Sequence, residues 1–225
     1  MLGATLHIAS KDLRLSFHGM RGVLQSVLLG LLLIFLFSLS RNPGDVMPAV
    51  SASAVFWLST VFAQVLVFNT LYGYEEQSGA RIGLVLSPAP VQAVWLGKAL
   101  AGGILLVACQ CVFALATVVF LGQPIDGPLW LFGVAGVLVD VAVCALGSLL
   151  GALSAGNSTR ESLMTVILFP LLIPALLAGI RLFEAGLAGV GVVDVSSWIG
   201  MATAFDAVFS AAALVLFPYV YTGEE

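Results

Sequence analysis

Six stretches of this chain are apolar almost without interruption: residues 23–39, 49–71, 94–121, 129–153, 163–180 and 198–220. Each approaches or exceeds the roughly 20 residues that a helix needs to cross about 30 Å of hydrocarbon. The pattern therefore predicts six transmembrane helices. Alternating ten-residue segments, the mark of a membrane barrel, do not occur, and an open sheet would leave unpaired backbone groups in lipid. The expected fold is all-α, a polytopic membrane bundle of six spans over residues 23–220, preceded by a segment 1–22 and followed by a short tail 221–225. The connections are too short for a folded extramembrane domain.

Segment 1–22 has another rhythm. His7, Lys11, Arg14, His18 and Arg21 recur at spacings of 4, 3, 4 and 3, and Leu6, Leu13, Phe17, Met20 and Leu24 fill a second stripe. This predicts a basic amphipathic interfacial helix lying flat at the cytoplasmic headgroups, its apolar side dipped in and its cations near anionic lipid. The apolar run that follows has 17 residues and ends in Leu39-Ser40-Arg41-Asn42 without a small-x-small cleavage pattern. The segment is thus expected to be retained rather than removed as a signal peptide.

Composition fixes the solvent. Of the 225 residues 60% are hydrophobic and 9% charged, with a net charge of −4 and a mean hydropathy of +1.12, whereas a soluble domain carries about 25% charged residues. A soluble globule is excluded, and so is nucleic-acid binding, because eight scattered cations cannot neutralise a run of phosphates. Lys11, Arg14, Arg21, Arg81, Lys98 and Arg160 fall on one side of the predicted bilayer, Arg41 and Arg181 on the other. That split predicts cytoplasmic N- and C-termini, with Lys98, just inside the third span, snorkelling to the surface. Cys109, Cys111 and Cys144 all lie in apolar runs and read as packing residues rather than a disulfide framework.

The connection between the second and third spans holds the most specific pattern. Glu75 and Glu76 suit a helix N-terminus, where unpaired amides attract negative charge, and Pro88 forces Ser87 out of the helical region. A short cytoplasmic helix over about 74–87 is expected. Ile82, Val85 and Leu86 lie on one side of it, free to lean on the membrane or fill a groove in a partner.

Other candidates carry less. Pro170 and Pro174, four apart, loosen the fifth span as a hinge or as a static kink. Gly147 and Gly151 permit close helix approach, for which packing within the subunit is the favoured reading over a dimer contact. Asp140 and Asp206 fall at similar depths in the fourth and sixth spans, where a carboxylate is costly. A protease dyad sharing a proton is rejected, since Leu138-Val-Asp-Val and Ala204-Phe-Asp-Ala lack a Gly-x-Gly-Asp element. The expected role is to line a polar cleft or bond to backbone inside the bundle. Without Cys-x-x-Cys-His there is no covalent haem site; Cys109 and Cys111 point to opposite helix faces, His7 and His18 belong to the basic stripe, and no metal site is expected. Residues 181–197, with Gly186, Gly189 and Gly191, read equally as short re-entrant helices or a flexible turn. No Gly-x-x-x-x-Gly-Lys-Ser/Thr occurs, so ATP would have to be bound by another chain, and this one is expected to be non-catalytic itself.

The pattern Glu76-x-x-Gly79, Leu86-Ser87-Pro88 and Gly97-Lys98 resembles the loop after the second span of ABC-2-type (type V-like) permeases, whose short coupling helix docks on an ATP-binding subunit. With Leu13-Arg14-Leu15, the Phe37 to Ser40 end of the first span and Phe169-Pro170-Leu171-Leu172-Ile173-Pro174, the chain resembles the haem exporter protein B (CcmB) family. These are membrane subunits of the cytochrome c maturation ABC complex. The likeness is collinear from about Leu13 to the end of the fifth span. It departs at Tyr72-Gly73-Tyr74, where the family has an Arg-Asp-Asp-like approach. The resemblance implies a permease subunit in the bacterial cytoplasmic membrane, with haem as cargo and ATP on the partner. Implied partners are a cytoplasmic ABC ATPase, a second copy of the chain, a haem-handling membrane subunit and a periplasmic haem chaperone. The implied ATPase-coupling residues are Glu75, Glu76, Ser78, Gly79, Arg81, Ile82, Leu86 and Pro88. Two alternatives stand beside it: a permease for another hydrophobic substrate, and a membrane scaffold that binds no ATPase.

Overall fold

The structure, a computed structural model, describes residues 1–19, 21–42, 46–154, 158–189 and 194–222, with the side chains of all of these except 18, 19, 21 and 158–165. His18, Met20 and Arg21 of the predicted stripes, Arg160 of the cation split and Gly191 of the predicted outer loop therefore lie outside the described residues or side chains. Eight helices are described: α1 (Leu2–Gly19), α2 (Arg21–Leu39), α3 (Ala49–Ser78), α4 (Ala80–Val85), α5 (Val91–Leu121), α6 (Trp130–Ser154), α7 (Ser158–Ala188) and α8 (Val195–Thr222). Six of them, α2, α3 and α5 to α8, are long and apolar enough to cross a membrane. The protein is a multi-pass helical membrane protein, as the sequence pattern predicts.

Several helices outrun the apolar stretches that announce them. Helix α3 continues past Leu71 to Ser78, and α7 continues past Ile180 to Ala188, carrying Arg181 and Glu184. Hydrophobicity stops where the lipid stops, whereas a helix stops where its backbone is capped. Here the stops are glycines in the left-handed region, Gly79 at φ 68° and Gly189 at φ 96°, with Gly122 at φ 63° ending α5. Helix α7 is continuous through Pro170 and Pro174. Asp194 opens α8 as a cap and accepts from the Ser196 and Ser197 hydroxyls; those bonds hold its carboxyl below the usual aspartate range.

In the core, α3 presses its aromatic side chains onto glycines of α6. A Cβ at Gly147 would stand 2.6 Å from the Phe68 ring, and one at Gly151 would stand 2.6 Å from the Tyr72 ring. The Gly147–Gly151 pair thus serves packing within the subunit. Toward one end of the bundle Phe183 of α7 stacks on Phe56 at 4.3 Å and meets Phe132 edge-on at 4.7 Å.

The cations separate by end. Arg41 donates to the Leu121 carbonyl at 2.9 Å, Asp126 and Gly127 donate through their backbone to Leu187 and Gly186, and Arg181 pairs with Glu184. Lys11, Arg81 and Lys98 gather at the opposite end.

Helix α1 corrects the interfacial expectation in one respect. Besides the basic and apolar stripes it has a third face, Thr5, Ile8, Ala9, Asp12 and Ser16, which is buried in protein. A Cβ at Gly97 would lie 2.9 Å from Ile8 and 3.0 Å from the Thr5 carbonyl, so α1 rests directly on α5. Leu2, Leu6 and Phe17 remain exposed and available to lipid.

Candidate functional site

The predicted coupling segment is an elbow rather than one helix. Glu75 and Glu76 do not open a helix; they lie in the last turn of α3, and Gly79 turns the chain into the six-residue α4. Two acids at a helix C-terminus face the negative end of the macrodipole, which is why the sequence reading placed them at an N-terminus. What reverses the preference is a set of ion pairs from elements far away in sequence.

Glu75 is buried, and its Oε1 accepts from Lys11 Nζ of α1 at 2.7 Å and lies 3.0 Å from Lys98 Nζ of α5. Its Oε2 accepts from the Tyr221 hydroxyl of α8 at 3.3 Å. Asp12 of α1 completes the group, 3.2 Å from Lys98 Nζ and 3.0 Å from Lys11 Nζ. Lys98 has no exposed surface at all, donates also to the Leu71 carbonyl at 3.3 Å, and lies 4.5 Å above the Tyr72 ring. It does not snorkel: two carboxylates, a carbonyl and an aromatic face give a buried ammonium what water would have given it. Lys11 likewise does not stand free among the headgroups. Burial draws its ammonium down, but the bonds to Glu75 and Asp12 outweigh this and hold it above the usual lysine value.

Two cations and two anions thus form a charge-balanced quartet joining α1, α3 and α5, with Asp12, Glu75 and Lys98 buried, Lys11 at its partly exposed edge and α8 attached through Tyr221. The elbow is tied to it. Arg81 of α4 donates to the Tyr221 carbonyl at 2.9 Å, lies 3.6 Å from Glu76, and stands 5.3 Å from the Tyr221 ring. It thereby satisfies one of the last carbonyls of α8. The rest of the elbow points outward: Ile82 is 68% and Leu86 80% exposed, with Val85 exposed beside them. Ser78 caps its own helix through the Tyr74 carbonyl, Ser87 bonds back to Leu84, and Pro88 and Pro90 lead into α5.

Of the eight coupling residues read from sequence, Glu76, Ser78, Gly79, Ile82, Leu86 and Pro88 are exposed and Arg81 half-buried. Glu75 is interior and fully engaged, so it ties the elbow to α1, α5 and α8 and does not face outward. Asp12 and Tyr221 were missed. The signal for Asp12 was its place in line with Thr5, Ile8 and Ser16 at helical spacing, a face that neither amphipathic stripe explained. Within the bundle, Asp140 accepts from Gln110 at 2.6 Å, and no hydrogen bond joins it to Asp206. Asp206 is buried, and its Oδ1 has no partner among the described residues.

A Cβ at Gly79 would meet nothing within 4 Å, so at that atom only the left-handed backbone opposes a side chain. Gly79→Trp should therefore cost about 1–2 kcal/mol and still insert, to be checked by thermal unfolding of the membrane-extracted protein.

A family model described as CcmB protein matches residues 3–222. The chain belongs to the CcmB family. It is 28% identical over 216 residues to a protein named Heme exporter protein B from Rhodobacter capsulatus, with 94% of each chain covered. It is 25% identical over 222 residues to a protein of that name from Pseudomonas aeruginosa, covering 96% of this chain and 97% of the other. A third, from Bradyrhizobium diazoefficiens, is 25% identical over 183 residues, 80% of each chain. In this CcmB-family chain, the elbow and its quartet lie well inside the matched range, and the six spans fall within it to its last residue, Thr222.

Proposed function

We propose that this chain is the membrane permease subunit of a bacterial ABC-type haem exporter serving cytochrome c maturation. It is powered by a separate cytoplasmic ATPase that docks on the α3–α4 elbow. The quartet end then faces the cytoplasm, both termini lie there, and the bilayer is the cytoplasmic membrane, in keeping with the excess of Lys and Arg at that end. Two copies of the chain would serve two ATPase subunits, with a haem-handling membrane subunit and a periplasmic haem chaperone as further partners.

The observation that carries this reading is an exposed apolar knob wired to the interior: Ile82 and Leu86 stand free while Arg81, next to Ile82 in the chain, grips α8. When the ATPase closes on ATP, a push on α4 reaches Tyr221 through Arg81. It reaches α1 and α5 through Glu75 and Lys98. Packed elements of this kind shift between discrete arrangements rather than deforming continuously.

The test is a site-directed crosslink. Leu86→Cys in native membranes is expected to join a soluble ATP-binding chain, while Val215→Cys on the lipid-facing side of α8, 63% exposed, is not. Failure of Leu86→Cys to capture such a chain, or equal capture from Val215→Cys, would overturn the reading.

A further inference from the structure

An elongated slot of about 910 Å³ runs between α5 and α6, floored by Phe56 and Trp57 of α3 and Phe183 of α7. On α5 its lining extends from Trp95 to Ala114, about 28 Å at 1.5 Å per residue, nearly the depth of the hydrocarbon. Its α6 wall contains Gly133 and Gly136, and a Cβ at either would meet nothing within 4 Å. These glycines, unlike Gly147 and Gly151, are not consumed by packing inside the subunit. Between them and the inner end lies Asp140, 9% exposed, bound through one oxygen to Gln110. The second carboxyl oxygen of Asp140 and the carbonyl oxygen of Gln110 have no partner among the described residues, and both side chains line the slot.

We propose that this slot receives a transmembrane helix of another polypeptide, one that is apolar overall and carries a hydrogen-bond donor (an amide, hydroxyl or cation) at mid-depth. The inference rests on the reading of this chain as one subunit of a membrane complex. Three features select that occupant. The slot is as long as a span, which suits a helix. Its open glycines let a second backbone approach closely. A polar pair with unused capacity would be left bare by acyl chains, and lipid offers it nothing in return. The exposed mid-span stretches of α2 (27–37) and α7 (166–177) contain no hydrogen-bonding side chain, and the Thr203 hydroxyl of α8 is committed to the Ile199 carbonyl, so these parts of a second copy do not supply the donor.

The experiment places a photo-crosslinking residue at Val137, in the slot and 66% exposed, and in a control at Leu177 on the lipid face of α7. Adducts formed in native membranes are digested and sequenced. The expected result is a single transmembrane segment of a different chain, with a donor side chain within one turn of the crosslinked position, captured at Val137 and not at Leu177. Its yield should fall at least tenfold in Gly136→Leu, which adds bulk to the slot at a position whose Cβ would meet nothing within 4 Å, and in Asp140→Leu. Adducts to lipid, to haem or to a second copy, equal yield at Leu177, an unchanged yield in Gly136→Leu, or no adduct would each overturn the proposal. The Leu86→Cys crosslink separates the two readings: its loss with the Val137 adduct retained removes the ATPase and leaves the slot.

Discussion

Replacing Lys98 with methionine should destabilise the protein by about 3–5 kcal/mol, the range for removing one partner of a buried pair. Methionine matches the length of the lysine stem, so the loss is of charge rather than volume. Asp12 and Glu75 would then share a dry site with only Lys11, itself partly exposed, to neutralise them. Thermal unfolding of the detergent-extracted protein and its level in membranes measure the effect. The double variant Lys98→Met with Glu75→Gln restores neutrality and should recover more than half of the loss. Equal stability of the single and double variants would mean that the quartet is not held together by charge balance.

The second large effect is expected at the surface. On the proposed docking of an ATPase at the elbow, Ile82→Asp combined with Leu86→Asp should reduce co-purification of that partner at least tenfold while membrane insertion and thermal stability stay unchanged. Both side chains are exposed, and substitutions away from the core usually fall within about 0.5 kcal/mol. A burial role for either residue would show instead as lost stability. Gly79→Trp, which strains the elbow without touching that knob, should give a smaller drop in co-purification than the double aspartate variant.

How much could be read from the chain follows from the range of each interaction. Spans are legible because hydrophobic length is a local property, and the Gly147–Gly151 contact is legible because small residues at that spacing have one common use. Helix ends were misjudged where polarity and capping disagree: Tyr72 to Ser78 is polar yet helical, and only the left-handed glycine at 79 marks the true stop. The quartet was illegible for a deeper reason. Lys98 meets Asp12 across 86 positions and Tyr221 meets Glu75 across 146, and no periodicity within a window reports a pairing between windows. A lysine inside an apolar run has two physical solutions, reaching for water or finding anions, and only the packing of α1 onto Gly97 selects the second.

That seating of α1 bears on how the molecule is made. Helix α1 is synthesised before α5, and Asp12 precedes its anchor Lys98 by 86 positions, with the platform at Gly97 beside that anchor. Its seat against α3 and α5 can therefore form only once both have been made. Its docking closes the bundle after insertion, so a chain truncated before α5 should leave its N-terminus open to protease.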